Sequence, residues 1–343
     1  MKKNKPILII KVGSSVITDE NGNLNISTLE NIVSQTSELL KQNRVILVSS
    51  GAVSSGKKWL KKYNKNLTKR KAAAAIGNPL LIKEYSIHFL KYGYQVAQAL
   101  LERQHFANRS QFLQLKETIL ELWENDIIPV VNENDVVSNY ELQFSDNDEL
   151  ATLLAVSFNA NAMLLCTSAG GYKDDVGNII SYVEDINSVL GYLRDDKSAH
   201  GTGGMSSKLT FTRLATDLGI KVVYCGFRNK DSFIEALKGK GGTTFKAKSS
   251  TLNERQKWLA SGSITIGSIE IDEGAYKALQ QRKSLLLVGV TKIDGAFGAG
   301  EVVQLKIPDG EIIGVAKMRF SASDLTMKRK NIMAAHADDI VVF

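Results

Sequence analysis

The sequence predicts an α/β protein with an open, mostly parallel sheet flanked by helices, followed by a small β-rich domain. In the first 250 residues, short apolar runs alternate with helical patterns, as expected for strands buried on both faces of a parallel sheet. After about Ser250 the pattern changes to closely spaced short strands. The chain is therefore predicted to form two structural parts.

Six short, largely β-branched runs predict the strands of the first part. They are Ile7 to Val12, Val45 to Ser49, Gln95 to Leu100, Ile127 to Val131, Met163 to Cys166 and Lys221 to Cys225. A capping box at Ser27 to Glu30 predicts a helix that ends near Asn43. Further helical patterns cover Ala72 to Tyr92, Gln111 to Asn125, Asp148 to Phe158 and Met205 to Leu218.

The second part is predicted to be a small domain of short strands. Strands are expected at Ser263 to Ile266, Leu285 to Val290, Glu301 to Leu305, Ile312 to Met318 and Ile340 to Phe343. Two short helices are expected near Glu273 to Gln281 and Ser323 to Lys330. With a linker between them, the predicted domains are residues 1–256 and 262–343.

Composition and charge exclude several classes of protein. With 43% hydrophobic and 23% charged residues among 343, the chain is of ordinary globular composition. It contains no apolar stretch of the roughly 20 residues that a membrane helix needs, and Cys166 and Cys225 suit reduced core cysteines. We therefore expect a cytoplasmic protein without a membrane partner.

The net charge of +7 lies before residue 261, since residues 261–343 carry equal numbers of acidic and basic side chains. Much of the excess is the basic run from Lys57 to Lys71. Without a series of stacking aromatic residues, this run is interpreted as a solvated helix face and loop.

Three turns rich in glycine and serine predict a phosphate-binding site. They are Lys11 to Ser15, Ser49 to Gly56 and Gly201 to Lys208. In open α/β sheets, ligands bind beyond the carboxyl ends of the strands, where helix N-termini present N–H groups to anions. The segment Gly51 to Lys58 resembles a P-loop but ends in lysine where serine or threonine must hold magnesium, so a P-loop NTPase is the poorer interpretation.

Carboxylate and amide side chains follow the fourth predicted strand. They form the segments Asn132 to Asp135 and Asp146 to Asp148. Either Asp146 or Asp148 could cap the next helix, but capping leaves the density of acidic and amide groups unexplained. Such a patch suits an ammonium group, a small polar substrate or a hydrated magnesium ion.

Together, the three turns and the two acidic segments resemble, in order and spacing, the amino-acid kinase family. Arg255 to Trp258 is similar to the linker signature of relatives, and the tail around Ile271 to Ala275 resembles a PUA domain that lacks a helical segment between Lys330 and Ala334. The resemblance implies the amino-acid kinase fold. It also implies phosphorylation of the γ-carboxylate of L-glutamate by ATP and Mg²⁺, the first step of proline synthesis.

Site residues follow from the resemblance, position by position. Lys11 and Lys208 would be catalytic; Ser50, Asp135 and Asn147 would bind glutamate, with Asp146 and Asp148 close by. The nucleotide would contact Lys11, Gly13, Thr167, Ser168, Thr202, Gly203, Gly204, Met205, Ser206, Ser207 and Lys208. No side chain is assigned as a direct metal ligand. The sequence departs from the family at Ser168, where relatives have aspartate, and at Asn78, where they have glutamine.

The resemblance also implies proline as a feedback inhibitor and a homo-oligomer, either a dimer or a tetramer. Two alternatives stay open. One is another phosphotransferase of the family, acting on aspartate, N-acetylglutamate or a nucleoside monophosphate. The other is an RNA-binding or regulatory protein with a vestigial kinase domain, because PUA domains often bind RNA. The neutral charge of residues 261–343 gives RNA binding no support.

Overall fold

A computed structural model of the chain describes residues 5–19, 21–64, 66–107, 109–137, 147–192, 205–227, 229–250, 265–327 and 332–342, with Leu252, Gln256, Lys257 and Leu259. The chain forms two compact units. The first comprises Met1–Glu102 and Leu113–Ser250, and the second comprises Arg103–Phe112 and Thr251–Phe343. The domain limits of 1–256 and 262–343 stay a prediction.

The first unit is built on an eight-stranded sheet. Its strands are β1 (Ile7–Val12), β2 (Arg44–Ser49), β3 (Gln95–Leu101), β4 (Ile127–Glu133), β5 (Ala162–Cys166), β6 (Tyr182–Val183), β7 (Lys221–Cys225) and β8 (Thr243–Phe245). Their order is β3-β4-β2-β1-β5-β7-β8-β6. All neighbouring strands pair in parallel except β7 and β8. The predicted fold class, a mostly parallel open sheet, is confirmed.

Helices cover both faces of this sheet. They are α1 (Ser14–Ile17), α2 (Ile26–Leu40), α3 (Ala52–Lys57), α4 (Leu67–Leu90), the part of α6 (Arg109–Glu124) from Leu113 onward, α7 (Asn147–Ser157), α8 (Met205–Asp217) and α9 (Ser232–Leu237), with a 3₁₀ segment at Ile186–Tyr192. The short helix α5 (Gln104–Ala107) and the first residues of α6 belong to the second unit. Helices α2, α4 and α9 pack together on one face, and α7 and α8 pack against strands on the other.

Side chains alternate along β1, and this alternation determines which of them face the helices on each side of the sheet. Leu8, Ile10 and Val12 belong to the apolar core that includes α2 and α4. Successive side chains of a strand point to opposite faces, so Lys11 faces the side of α7. The sheet thereby places one lysine within reach of the first turn of α7.

Two helices begin earlier than the sequence pattern predicted. The N-cap of α2 is Asn25, whose side chain accepts a hydrogen bond from Thr28 N, so the predicted capping by Ser27 is wrong. Asn66 caps α4 in the same way, accepting from Lys69 N. In both places an asparagine carboxamide satisfies a backbone N–H of the first turn. The apolar pattern starts later in the sequence than the capped helix does.

The second unit is β-rich, as predicted. Its elements are β9 (Thr265–Ile271), α10 (Glu273–Gln280), β10 (Leu285–Leu286), β11 (Val290–Asp294), β12 (Val302–Lys306), β13 (Ile312–Lys317), α11 (Ala322–Met327), β14 (Met333–Ala335) and β15 (Ile340–Val342), with 3₁₀ turns at Leu287–Gly289 and Ala337–Asp339. A five-stranded sheet runs β11-β9-β12-β13-β15, and β10 pairs with β14. Its core includes Ile269, Val303 and Leu305.

Several predicted features fall outside the described residues: Arg255 and Trp258 of the linker signature, and Lys330 at the start of the predicted deletion. Within the part of the chain that the structure describes, no helix is both long enough and apolar enough to cross a membrane.

Candidate active site

Two lysines share one buried carboxylate at the carboxyl edge of the sheet. Lys11 Nζ lies 2.6 Å from Asp148 Oδ1, and Lys208 Nζ donates to the other oxygen, Oδ2. The three side chains come from β1, α7 and α8. We call this group the lysine clamp, because one carboxylate fixes the positions of two ammonium groups.

Local helix structure favours the position of Asp148 in the lysine clamp but not that of Lys208. Asp148 is the second residue of α7, and a carboxylate in a first helical turn is stabilised by the free N–H groups there. Lys208 lies in the first turn of α8, where a cation gains nothing from the helix dipole. Its ion pair with Asp148 offsets that disadvantage. The arrangement concentrates positive charge at one point of the sheet edge.

The clamp sets the protonation state of its carboxylate. Burial alone would raise the pKa of Asp148, but the ammonium groups of Lys11 and Lys208 outweigh burial and lower this pKa to about 2. Asp148 is therefore ionised at any physiological pH. The group as a whole carries one net positive charge, which suits a phosphoryl group.

Asp148 should make the free energy of unfolding fall in acid. Because its pKa drops from 3.8 to about 2 on folding, the ionised carboxylate stabilises the fold above pH 3.8, and the contribution is lost as pH falls toward 2. The linked stabilisation is about 2 kcal/mol. Urea unfolding between pH 2 and pH 5 should show the wild type losing more stability than Asp148→Asn. Parallel curves for the two proteins would contradict this.

A chain of amide side chains lies beside the clamp, with Asn78 and Asn132 buried and Asn147 partly buried. Asn147 Nδ2 donates to Ser50 Oγ at 2.8 Å and to Asn132 Oδ1 at 2.9 Å, and Asn132 Nδ2 donates to Asn78 Oδ1 at 3.1 Å. Asn132 Oδ1 also accepts from Glu133 N. This network links β2, β4, α4 and α7 and fixes the orientation of the Asn147 carboxamide.

The network leaves one buried acceptor without a described donor. Asn147 Oδ1 is buried and receives no hydrogen bond from the described residues. Buried polar atoms in proteins are nearly always paired, so this oxygen is suited to a donor group of a ligand. Ser50 Oγ accepts from Asn147, which leaves the Ser50 hydroxyl hydrogen free for a ligand acceptor.

Asp135 lies just beyond β4, on the same side of the sheet edge. It is buried, and its Oδ1 lies 3.5 Å from Arg70 Nη2. Burial raises the pKa of Asp135, and Arg70 offsets only part of this rise. A buried carboxylate in this state gains free energy when another cation reaches it.

On the other side of the clamp, a cavity of about 670 Å³ opens at the carboxyl ends of β5 and β7. The predicted nucleotide residues Thr167 and Ser168 line it, and Thr167 Oγ1 is buried without a partner among the described residues. Its basic lining residues are Lys173, Lys230 and Lys240. Asp231 and Glu235 also line it, so its charged side chains leave one net positive charge, which suits an anionic ligand.

The structure describes only some of the other predicted site residues, and their roles stay predictions. Gly13 caps α1 at the end of β1, and a Cβ there would meet only Cys166 O, at 3.8 Å, so the space in front of it is open. Met205 and Ser207 lie in the first turn of α8. Outside the described residues lie Asp146, Thr202, Gly203 and Gly204, and the Ser206 side chain is not described.

Sequence reasoning missed the roles of four residues at the site. Asn132 was noted only as part of an acidic segment, Asn78 only as a departure, and Arg70 only within the solvated basic run. The role of Asp148 as the centre of the clamp was also not anticipated. Residue types alone could not reveal these contacts, because each joins elements distant in sequence.

Among the residues that the structure describes, no group of three or more histidine, cysteine or acidic side chains is placed to hold a metal ion. The P-loop-like glycine Gly56 lies inside α3, where a Cβ would stand 2.8 Å from the carbonyl carbon of Ala73 on α4. This glycine allows two helices to approach closely and does not wrap a phosphate.

Comparisons with known proteins agree with this architecture. The family model described as "Amino acid kinase family" matches residues 6–225, and the PUA domain model matches residues 267–337. The glutamate 5-kinase of Kosmotoga olearia is 34% identical over 338 residues, covering 97% of this chain and 93% of the relative.

Two further glutamate 5-kinases are similar over nearly the whole chain. The enzyme of Aquifex aeolicus is 38% identical over 323 residues, covering 93% of this chain and 90% of the relative. That of Bacillus cereus is 34% identical over 355 residues, covering 100% and 95%. The predicted amino-acid kinase fold with a PUA domain is thus confirmed, and the chain belongs to the amino acid kinase family, within its group of glutamate 5-kinases.

Proposed function

We propose that this protein transfers the γ-phosphoryl group of ATP to the γ-carboxylate of L-glutamate, as the first step of proline synthesis. The observation that carries the proposal is the lysine clamp: Lys11 and Lys208, held by Asp148, next to the amide network that ends at Asn147. Such a site presents positive charge and a polar subsite side by side. An acidic amino acid and a nucleotide are the ligands it suits.

The chemistry requires alignment and charge stabilisation but no general base. A glutamate carboxylate, with an ordinary pKa of about 4.3, is already ionised at neutral pH. The difficulty is to bring two anions together and to stabilise the charge on the transferring phosphoryl group. Lys11 and Lys208 supply preorganised positive charge, because Asp148 fixes both before the substrates bind.

Glutamate is held by Ser50, Asp135 and Asn147. The Asp135 carboxylate pairs with the α-ammonium group, which relieves the cost of burying Asp135 as an anion. The Asn147 carboxamide oxygen, buried without a described donor, accepts a hydrogen bond from the substrate. The Ser50 hydroxyl donates to a substrate carboxylate, because its oxygen already accepts from Asn147.

ATP occupies the cavity at the ends of β5 and β7, where Thr167 and Ser168 contact the nucleotide. Gly13, Met205 and Ser207, with Thr202, Gly203, Gly204 and Ser206, complete the phosphate contacts. Mg²⁺ bound to the phosphates of ATP would neutralise part of their charge. Asp148 is already engaged by two lysines, so this chain positions the phosphoryl group mainly through ammonium groups.

The same subsite would bind L-proline as a feedback inhibitor, because proline has the α-amino and α-carboxylate groups but no γ-carboxylate. We further propose that the chain works in the cytoplasm as a dimer or tetramer. A vestigial kinase that only binds RNA is not favoured, because the relatives over almost the whole chain are glutamate 5-kinases and the lysine clamp is complete.

The wild-type protein should require ATP, Mg²⁺ and an acceptor for ADP release, with L-glutamate the best acceptor. N-acetylglutamate should be at least about tenfold poorer in kcat/KM, since it lacks the charged group that Asp135 binds. Aspartate should also be poor, because its shorter side chain does not reach the clamp. Coupled measurement of ADP release with the three acceptors tests the proposal.

Asp135→Asn is the matched variant for this experiment. It keeps the shape of the side chain and removes its charge, so it should lose most of the preference for glutamate over N-acetylglutamate. Equal rates of the wild type with all three acceptors would refute glutamate as the substrate.

A further inference from the structure

An arginine lies beside the carboxylate that we assign to the substrate ammonium group. Arg70 belongs to the first turn of α4, and its Nη2 lies 3.5 Å from Asp135 Oδ1. Burial raises the pKa of the Tyr63 hydroxyl, the Arg70 charge lowers it and the Asp135 charge raises it, so both charges act on Tyr63. Arg70, Asp135 and Tyr63 therefore form one electrostatically linked group.

The position of Arg70 is unfavourable for the helix itself. The first turn of α4 contains no acidic residue but holds Lys69 and Arg70, and cations near a helix N-terminus oppose the macrodipole. Lys69 Nζ donates to the backbone carbonyl of Lys62, which explains its place. The side-chain hydrogen bond of Arg70 in the described part of the chain goes to Asp135.

The contact between Arg70 and Asp135 is long for an ion pair. Charge-assisted hydrogen bonds are normally about 2.7–2.9 Å long, and arginine commonly binds carboxylates through two parallel bonds. Here the guanidinium makes a single bond of 3.5 Å among the described residues. Its side chain is 32% exposed, against 11% for Asp135. The guanidinium thus retains donors that can reach a ligand from solvent.

The charged groups of the proposed substrate indicate which of them the guanidinium donors of Arg70 would bind. Glutamate carries an α-ammonium, an α-carboxylate and a γ-carboxylate. In the proposed function, Asp135 binds the α-ammonium group, and the cations Lys11 and Lys208 lie beside the γ-carboxylate that is phosphorylated. A cation for the α-carboxylate must lie next to the carboxylate that binds the ammonium, because both substrate groups are attached to one carbon atom. Arg70 occupies that place.

We propose that Arg70 binds the α-carboxylate of the acceptor amino acid and thereby determines specificity for an α-amino acid. This inference rests on the proposed function. Arg70 and Asp135 would then form a binding site for a zwitterion. The substrate α-carboxylate would bind Arg70 and the α-ammonium group would bind Asp135, so that each charge gains a closer partner than in the long contact between the two side chains.

The experiment compares L-glutamate with its α-amide, L-isoglutamine, which keeps the ammonium group and the γ-carboxylate but has no α-carboxylate. In the wild type, isoglutamine should have a kcat/KM about 30-fold or more below that of glutamate. Arg70→Gln should lower kcat/KM for glutamate by a similar factor, mainly through KM, and change the value for isoglutamine less than about threefold. Arg70→Lys keeps the positive charge but not the paired N–H donors of the guanidinium, so its kcat/KM for glutamate should lie between those of the wild type and Arg70→Gln.

Lys71→Gln is the matched control, since it removes one positive charge from the neighbouring residue of the same helix turn. It should change neither acceptor's kcat/KM appreciably. If Arg70→Gln reduces activity equally with both acceptors, or only lowers the melting temperature, Arg70 is a structural partner of Asp135 and the inference is wrong.

Binding measurements separate this inference from the proposed function. Isothermal titration of glutamate and isoglutamine into the wild type and Arg70→Gln should show the same pattern in Kd. A wild type that binds glutamate in this pattern without releasing ADP would refute the kinase proposal and support the role of Arg70. Absence of glutamate binding to the wild type would refute both.

Discussion

Replacing Lys11 with alanine should lower kcat by at least about 100-fold, about 3 kcal/mol of transition-state stabilisation. Lys11 is buried at the end of β1 and held 2.6 Å from Asp148, so its charge is fixed before the substrates arrive. Lys208→Ala should have an effect of the same order, because it removes the second cation of the clamp. Steady-state ADP release at saturating ATP and glutamate measures both variants.

Lys11→Ala should also lower the melting temperature. The Asp148 side chain is 1% exposed, and breaking a buried ion pair by removing one partner typically costs about 3–5 kcal/mol. Lys208 remains as a second partner, so the loss should lie toward the lower end. The double variant Lys11→Ala, Asp148→Asn removes both charges and should melt above Lys11→Ala while staying inactive. A Lys11→Ala protein with lowered stability but wild-type kcat would show that the lysine is structural only.

Most of the central sheet could be predicted from the sequence, because each of its longer strands coincides with an apolar run bounded by turn residues. The Lys221–Cys225 strand, for example, has the predicted limits. The strands Tyr182–Val183 and Thr243–Phe245 were missed. With two and three residues they carry no periodic pattern, and their pairing is set by neighbours distant in sequence.

The site was only partly predictable for a related reason. Sequence motifs indicated which loops gather at the sheet edge, and the resemblance to relatives indicated which residues act there. Residues that contact one another in the site are far apart in the sequence: Lys11 and Asp148 are separated by 137 positions, and Arg70 and Asp135 by 65 positions. Such contacts depend on the packing of α4 and α7 around the sheet. A basic residue in a lysine-rich run therefore could not be told from a solvated one.

Gly77→Ala should destabilise the protein by more than about 4 kcal/mol, in the range of severe core defects. In an exposed helix, alanine in place of glycine would gain about 1 kcal/mol. Here a Cβ on Gly77 of α4 would overlap the carbonyl oxygen of Ala52 and stand 2.6 Å from its carbonyl carbon. Backbone atoms of α3 cannot move aside without shifting the whole helix, so the steric cost exceeds the gain in propensity.

The same clash should reach the substrate site. Helix α3 directly follows Ser50 and Gly51, and Gly51 has a φ of 104° that fixes the turn between β2 and the helix. Displacing α3 would move Ser50 away from the Asn147 carboxamide, which it meets at 2.8 Å. Folded Gly77→Ala protein, assayed at low temperature, should therefore show a raised KM for glutamate. Gly191→Ala is the control, because a Cβ there has nothing within 4 Å, and its melting temperature should match that of the wild type. A Gly77→Ala protein as stable as the wild type would mean that α3 and α4 do not approach as closely as the structure places them, and that the glycines of this helix pair do not position the glutamate site.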